Sequence, residues 1–548
     1  MNRIVAALLG VVLLTCFPGF SASLPFNDWF YRRFHSSELT MRPIEGIRER
    51  ITDGKLHLTL KDFLELVLKN DTDINLIRLN VYTAADQITL AKAPLDPLLQ
   101  LSFSTLRSVS PQFTEIGGAA TLSSLTQTSI LSYNQVLPTG QTVSASFDAL
   151  RTTSNSEFNF YNPNINGILN IQVLQPLLQD RTRIQFKGPM QIARTQLLIT
   201  SEQSEGHIAD DVAQAAVQYW EAVRTRDFIK VEQQTLDLAK KSYDRDKLAL
   251  DLGALAKLAI YQSETQVAER NRDLIQAQYQ YQAALDPLRR LMGADQTAEL
   301  RSIEIVLDDD PAALPTETAI LPYEEALSKA LRVRPEVSAA HRQVSIDEVN
   351  ARIAHNLLLP RLDLTVQGAG TGLAGNQAAS VSLIGTPIPA TTSGFGTSLG
   401  QALLFNSPTY GAGLAFTFPV RNSAASAQLA DAFVSRNRDR YTERQIQQQI
   451  MLDVRQAITS IDLARNTIEA ARKARDLAMK NVEAEQQRYE LGGSTAFEVL
   501  DSQNRLASAE NALLNAFVGY QEAYISYERS TWSLLDGLGM VLETPKVK

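Results

Sequence analysis

The second half of this chain repeats the first, and that constrains its fold more than any other feature. Leu60–Leu101 lies on Tyr323–Leu364 without a gap, with Leu64 on Leu327, Leu68 on Leu331, Val81 on Val344, Pro97 on Pro360 and Leu101 on Leu364. A second block, Gly253–Ala284, lies on Gly492–Ala523, with Ser263 on Ser502, Ala268 on Ala507 and Leu274 on Leu513. Between the blocks, Gln175-Pro176-Leu177 answers Phe418-Pro419-Val420. Each half therefore runs helix, proline, strands, proline, long helix, glycine, helix, which is the pattern of a tandem duplication.

The long helices set the dimensions. From about Arg183 to Leu252 the only proline is Pro189, close to the start, and from about Ser423 to Leu491 there is none. Runs of about 70 residues give helices of about 105 Å, far beyond a globular helix, and point to a coiled coil or a helical tube. The flanking runs, about Leu60 to Ala93 and Ala256 to Leu291, are each roughly half as long, so two placed end to end match one long helix. That arithmetic suits a cylinder wall with the Gly253 and Gly492 turns at one end. Mixed-charge stretches such as Asp244-Arg245-Asp246-Lys247 and Arg472-Lys473 read as solvated helix faces.

The segments between the prolines are poor in charge. Leu364 to Val420 has no Asp, Glu, Lys or Arg, and Leu98 to Gln175 has only Arg107, Glu115, Asp148, Arg151 and Glu157. Both alternate apolar and polar residues. Leu99, Leu101 and Phe103 interleave with Gln100, Ser102 and Ser104, and Leu362, Leu364 and Val366 with Asp363, Thr365 and Gln367. Period-two patterning with few charges is the signature of membrane barrel strands, apolar toward lipid and polar toward the lumen. Pro138-Thr139-Gly140 marks an extra hairpin turn in the first half, placed by the pattern either in the membrane or as an outside loop. Two spanning strands per half give about four per chain, below the minimum of about eight. A sheet edge cannot face lipid, so such a chain must oligomerise to close its barrel.

Composition narrows the function. The net charge of -8 argues against a nucleic-acid partner, and five scattered His with one Cys leave no metal cluster, so no cofactor or metal is expected. No G-x-S-x-G, P-loop or H-E-x-x-H is present, which argues against an enzyme. Arg3, the apolar run Ile4–Leu14 and Ser21-Ala22-Ser23 read as a signal peptide over residues 1–23, with Leu24 as the mature start. Leu13-Leu14-Thr15-Cys16 resembles a lipobox, so Cys16 is either lipidated or removed with the signal.

In order and duplication, the motifs resemble the TolC-like outer-membrane factor (outer membrane efflux protein) family. Leu58–Asn70 resembles its helix opening, Ala91–Phe103 its helix-to-strand passage, and Gln175–Leu178 and Phe418–Asn422 its strand-to-helix passages. The most specific stretch is Arg488-Tyr-Glu-Leu-Gly-Gly-Ser-Thr-Ala-Phe-Glu-Val-Leu-Asp501, which resembles the family's periplasmic tip turn. The resemblance implies a mainly α fold with a membrane β-barrel: a duplicated long-helix/β-hairpin repeat forming a trimeric α-barrel tunnel and a 12-stranded β-barrel. The division expected is residues 1–23 signal peptide, 24–57 an N-terminal periplasmic or equatorial segment, and 58–293 the first repeat with barrel strands within 98–175. Residues 294–321 form an equatorial connector containing Asp308-Asp309-Asp310-Pro311, residues 322–539 the second repeat with strands within 361–418, and residues 540–548 a tail.

Function follows from the same resemblance: an exit channel of a tripartite efflux or type I secretion system, in the cell outer membrane and extending into the periplasm. The partners implied are two further copies, outer-membrane lipid, a periplasmic adaptor (membrane fusion protein) and an inner-membrane pump. Glu498 and Asp501 match the family's acidic aperture ring, which in three copies would favour cations. Thr495-Ala-Phe-Glu498 is also a capping box, which gives Glu498 a second role. Gly253, Gly492, Gly493 and Tyr489 are the tip-turn residues expected at the adaptor contact. Tyr489 matches a tyrosine of the family's closing links, but Ser494 and Ala259 replace the arginine and aspartate, so any closing network here must use other groups. The competing reading is a periplasmic coiled-coil adaptor or scaffold without a pore, which would not need two charge-poor alternating segments.

Overall fold

The computed structural model describes residues 40–111, 120–156, 159–253, 257–314, 320–381, 385, 387–537 and 539–540, without the side chains of residues 257–259 and 380–381. The chain divides into residues 1–45 and 46–548. Of the first unit, residues 40–45 are described and form no helix or strand. The signal peptide, Cys16 and the tail beyond Met540 lie outside the described residues.

The duplication holds element by element. In the first repeat α1 (Leu60–Asn70) and α2 (Thr72–Lys92) precede the strands, and α3 (Ile184–Asp251) and α4 (Lys257–Leu291) follow them. In the second, α5 (Tyr323–Val333) and α6 (Pro335–Asn356) precede, α7 (Phe395–Leu403) lies among the strands, and α8 (Ser423–Glu490) and α9 (Ala496–Ser530) follow. Both long helices have 68 residues and both helices after the glycine turns have 35, so the repeats agree to the residue.

The leading helix is not one run from Leu60 to Ala93, as the pattern suggested. It breaks at Asp71, whose extended backbone and carboxylate cap α2 by accepting from Asp73 N at 2.7 Å. The matching break falls at Arg334, before Pro335, which has no N–H to continue the preceding helix.

Helix α3 packs on α2, α4, α6 and α9, and α8 packs on α5, α6 and α9. The seams use small residues: Ala326 and Ala330 of α5, Ala457 of α8 and Ala516 of α9 interleave with Ile450, Val454, Ile461 and Tyr520. Where α9 ends, Arg529 pairs with Asp210 of α3 and Glu336 of α6, while Arg334 pairs with Glu336 and with Asp453 of α8. Four elements thus meet on one cluster of ion pairs.

Beside the helices, β1 (Ile51–Thr52) and β2 (Lys55–Leu58) form a hairpin, and β2 runs parallel to a connector strand, Glu304–Leu307. The buried Phe63, Leu64, Leu66 and Val67 of α1 and the ring of Tyr219 pack beneath them. Tyr219 donates to Asp309, which also accepts from Leu60 N at 2.6 Å and so ties the connector to the start of α1.

The charge-poor segments form one antiparallel sheet. In the first repeat β3 (Leu98–Pro111), β4 (Thr121–Val136), β5 (Thr142–Ser154) and β6 (Asn164–Pro176) are successive neighbours. Counting the connector strand as β7, β8 (Arg361–Gln377) joins β6, and β12 (Pro408–Thr417) joins β8. Three two-residue strands, β9 (Ser380–Val381), β10 (Pro387–Ile388) and β11 (Thr391–Thr392), lie in the β8–β12 connection. Among the described residues the chain therefore carries six long strands, not about four. The hairpin at Pro138-Thr139-Gly140 is built into the sheet, and its turn sits at the helix end, where a Cβ on Gly140 would lie 3.2 Å from Phe186 of α3.

Register assigns the faces. One cross-strand row reads Leu99, Tyr133, Ala145, Ile171, Gly368 and Tyr410, and the next reads Leu101, Leu131, Phe147, Leu169, Gly370 and Pro408. On the opposite face a row reads Gln100, Ser132, Ser146, Asn170, Ala369 and Thr409. The alternation expected from the sequence is therefore carried across all six strands. Helix α7 was not expected: it lies on the apolar face, with Ser398 and Ala402 against Gly167, Gly370 and Gly372.

Candidate functional site at the helix turns

The two helix reversals are built on left-handed glycines, Gly253 at φ 75° and Gly492 at φ 74°. Gly492 N donates to Tyr489 O at 3.0 Å and Gly493 N to Arg488 O at 2.8 Å, the paired bonds that close a helix C-terminus on glycine. Gly253 N likewise donates to Leu250 O at 2.9 Å. Leu252, Leu491 and Phe497 project 66–88% exposed beside these turns, so the tips offer apolar surface.

The start of α9 is a capping box. Glu498 N donates to Thr495 Oγ1 at 3.3 Å, and Thr495 N donates to Glu498 Oε2 at 2.8 Å. Ser494 Oγ donates to the same carboxylate at 2.9 Å and also lies against Glu485. The Thr495 backbone N–H, then the Ser494 and Thr495 hydroxyls, hold the Glu498 carboxyl below its ordinary range. Asp501, one turn on, pairs with Arg505 at 2.8 Å, four residues along the same helix. The Glu498 carboxylate is thus exposed and ionised, and both acids have local partners already in place.

Tyr489 makes a link the sequence did not indicate. Its hydroxyl donates to Asp246 Oδ1 of α3 at 3.3 Å, and the Arg245 guanidinium lies 4.4 Å from its ring centroid. Ser263 of α4 donates to the other oxygen of Asp246. Burial, then the Asp246 charge, pushes the Tyr489 hydroxyl upward. Asp246, read from its neighbours as part of a solvated face, is instead 2% exposed, with Ser263 of α4 and Tyr489 of α8 against its carboxylate. The repeat held a signal: Asp246 falls on Glu485, so an acid stands seven residues before the glycine in both halves. Each has a serine hydroxyl against it, Ser263 for Asp246 and Ser494 for Glu485. The side chain of Ala259 lies outside the described residues. Among the described residues no group of three or more His, Cys, Asp or Glu is placed to hold a metal.

Comparison with known proteins agrees with this architecture. Residues 326–529 match the family model described as outer membrane efflux protein. No curated protein matches the chain by sequence. Among solved structures, the outer-membrane channel OprN superposes with a TM-score of 0.62 at 14% identity, over 86% of this chain and 89% of that one. The outer membrane protein VceC of Vibrio cholerae gives 0.60 at 15%, over 88% and 97%. The open MtrE outer membrane channel of Neisseria gonorrhoeae gives 0.55 at 16%, over 89% and 91%. At such identities the likeness speaks to the fold. The second repeat thus matches the outer membrane efflux protein model, and the chain as a whole shares the fold of these outer-membrane channels.

Proposed function

We propose that this protein is the outer-membrane exit duct of a tripartite efflux or type I secretion system, a passive channel from the periplasm to the exterior. The observation that carries it is the sheet: six strands, apolar on one face and polar on the other, run directly into two 68-residue helices. Six strands fall short of the roughly eight a membrane barrel needs, so several chains must close it. Three copies, as in the family, would bring three times six, or eighteen, strands in place of the twelve expected from four per chain.

In this reading the turns around Gly253 and Gly492 face the periplasm and meet an adaptor bound to an inner-membrane pump, with Tyr489 and Gly493 at that contact. Glu498 and Asp501 would line the aperture and favour cations. Their local partners leave the Glu498 carboxylate charged but offset Asp501 with Arg505, so Glu498 supplies most of the selectivity.

Single-channel conductance in planar bilayers tests both parts. Wild type should give small cation-selective openings, and the Glu498→Ala, Asp501→Ala double variant should lose that selectivity. Unchanged selectivity would leave the duct and reduce the two acids to capping and surface roles. No openings from folded, inserted protein would favour a poreless scaffold.

A further inference from the structure

The apolar face of the sheet carries two charges, and both stand at the end away from the helices. Beyond the rows through Leu99 and Leu101, the fourth row reads Thr105, Gln127, Arg151, Ile165 and Ala374, and the fifth Arg107, Leu125 and Thr153. No carboxylate lies on that face of β3 to β6; Asp148 sits on the polar face, opposite Ile130. Arg151 Nη1 donates at 2.7 Å to Gln127 Oε1, a neutral acceptor, and its Nε is buried with no partner among the described residues. Neither arginine has a carboxylate partner among the described residues, whereas most arginines of the helices do.

Depth and spacing make this pair selective. Leu99 to Arg107 is eight residues of strand, about 27 Å, or about 20 Å of height at a tilt of about 40°. A barrel's apolar band is about 25 Å tall, so the pair stands at its far border, where the outer leaflet's headgroups begin. A charge facing lipid is costly at mid-membrane and tolerated there, most of all when an anion meets it. The two arginines lie two strands and one row apart, about 12 Å between Cα atoms, close enough for their forks to converge on one headgroup. Thr105 and Thr153 lie on the same face beside them.

We infer that Arg107 and Arg151 bind a phosphate-bearing headgroup of an outer-leaflet lipid, held against the outside of the barrel wall. The inference rests on the outer-membrane duct reading. Phosphate suits two guanidinium groups because each can donate two parallel N–H bonds to its oxygens, and Gln127 and the threonines add neutral donors.

The test uses the full-length protein in phosphatidylcholine nanodiscs doped with either bisphosphorylated or dephosphorylated lipid A, with retained glycolipid counted by native mass spectrometry. Wild type should prefer the phosphorylated form by on the order of tenfold or more, and Arg107→Gln with Arg151→Gln together should abolish the preference. Arg151→Lys, which keeps charge but loses the fork, should fall between. Millimolar inorganic phosphate should leave retention unchanged, and full displacement by it would overturn the lipid assignment in favour of a free-anion site. Equal retention by wild type and double variant, or of both glycolipids by wild type, would overturn the site. Planar-bilayer openings from the same preparations keep the two readings apart: openings without lipid preference sink the site alone, and their absence from wild type sinks the duct as well.

Discussion

An aspartate closed off from water between three helices must take its stabilisation from hydrogen bonds, and Asp246 has Ser263, Tyr489 and Arg245 within reach. Tyr489→Phe removes one long bond and should lower stability by about 1 kcal/mol. Asp246→Ala leaves two hydroxyls unsatisfied and should lower it by about 2–3 kcal/mol, both read from denaturant midpoints. A second, half-buried acid, Glu336, gives a pH signature. Burial pushes the Glu336 carboxyl up, but the hydrogen bonds and charges of Arg334 and Arg529 outweigh it and hold it at about 2. A carboxyl depressed from 4.5 contributes stability that is fully present above its unfolded value and lost as pH falls toward 2. The contribution is about 3 kcal/mol, so wild type should exceed Glu336→Gln by that order at pH 7, and the two should draw together as pH falls from about 5 to about 2. At this scale the capping box at Thr495 was legible, because its spacing is local. The burial of Asp246 was not, since Asp244-Arg245-Asp246-Lys247 states a helix face and is silent on what covers it.

Elements were legible where a period or a breaker announced them. Two equal 68-residue helices follow from runs whose only proline is Pro189, near the start of α3, and the left-handed turns from Gly253 and Gly492. The break at Asp71 was hidden because the apolar spacing runs through it and no proline marks it, whereas its counterpart at Arg334 stands before Pro335. Helix α7 was hidden by the absence of charge over residues 364–420, which reads as strand throughout. Its seat was written in alternating glycines. A Cβ on Gly372 would lie 2.0 Å from Ser398 O and one on Gly370 2.2 Å from Ala402 O, while Gly368, on the same face, has nothing within 4 Å. Gly372→Ala should therefore unseat α7, at about 1–3 kcal/mol, and speed amide exchange over Phe395–Leu403 by roughly tenfold or more. Gly368→Ala should leave that exchange at the wild-type rate. Equal exchange in both variants would mean that α7 is not held by this face.

At the scale of the whole molecule, strand number sets the barrel's width, and here the repeat misled. Two strands per half is the symmetric reading, and the second repeat obeys it with β8 and β12, but the first repeat carries the additional hairpin β4–β5 between β3 and β6. Barrel diameter grows roughly in proportion to strand number, so in the proposed trimer eighteen strands would enclose a mouth about one and a half times as wide as twelve. Because β3 and β6 are antiparallel partners of that hairpin's two sides, excising β4 and β5 lets β3 turn directly into β6 and restores the symmetric four-strand chain. The alternation survives the excision, since β3 and β6 both place odd-numbered apolar residues on the same face. The shortened protein should still trimerise, and polymers added from the outer side should be excluded at a radius smaller by about a third. An unchanged cut-off would mean that the hairpin folds back from the wall on assembly and that only twelve strands close the barrel. In the proposed assembly the width of the outer mouth would thus be decided by the hairpin β4–β5 of the first repeat.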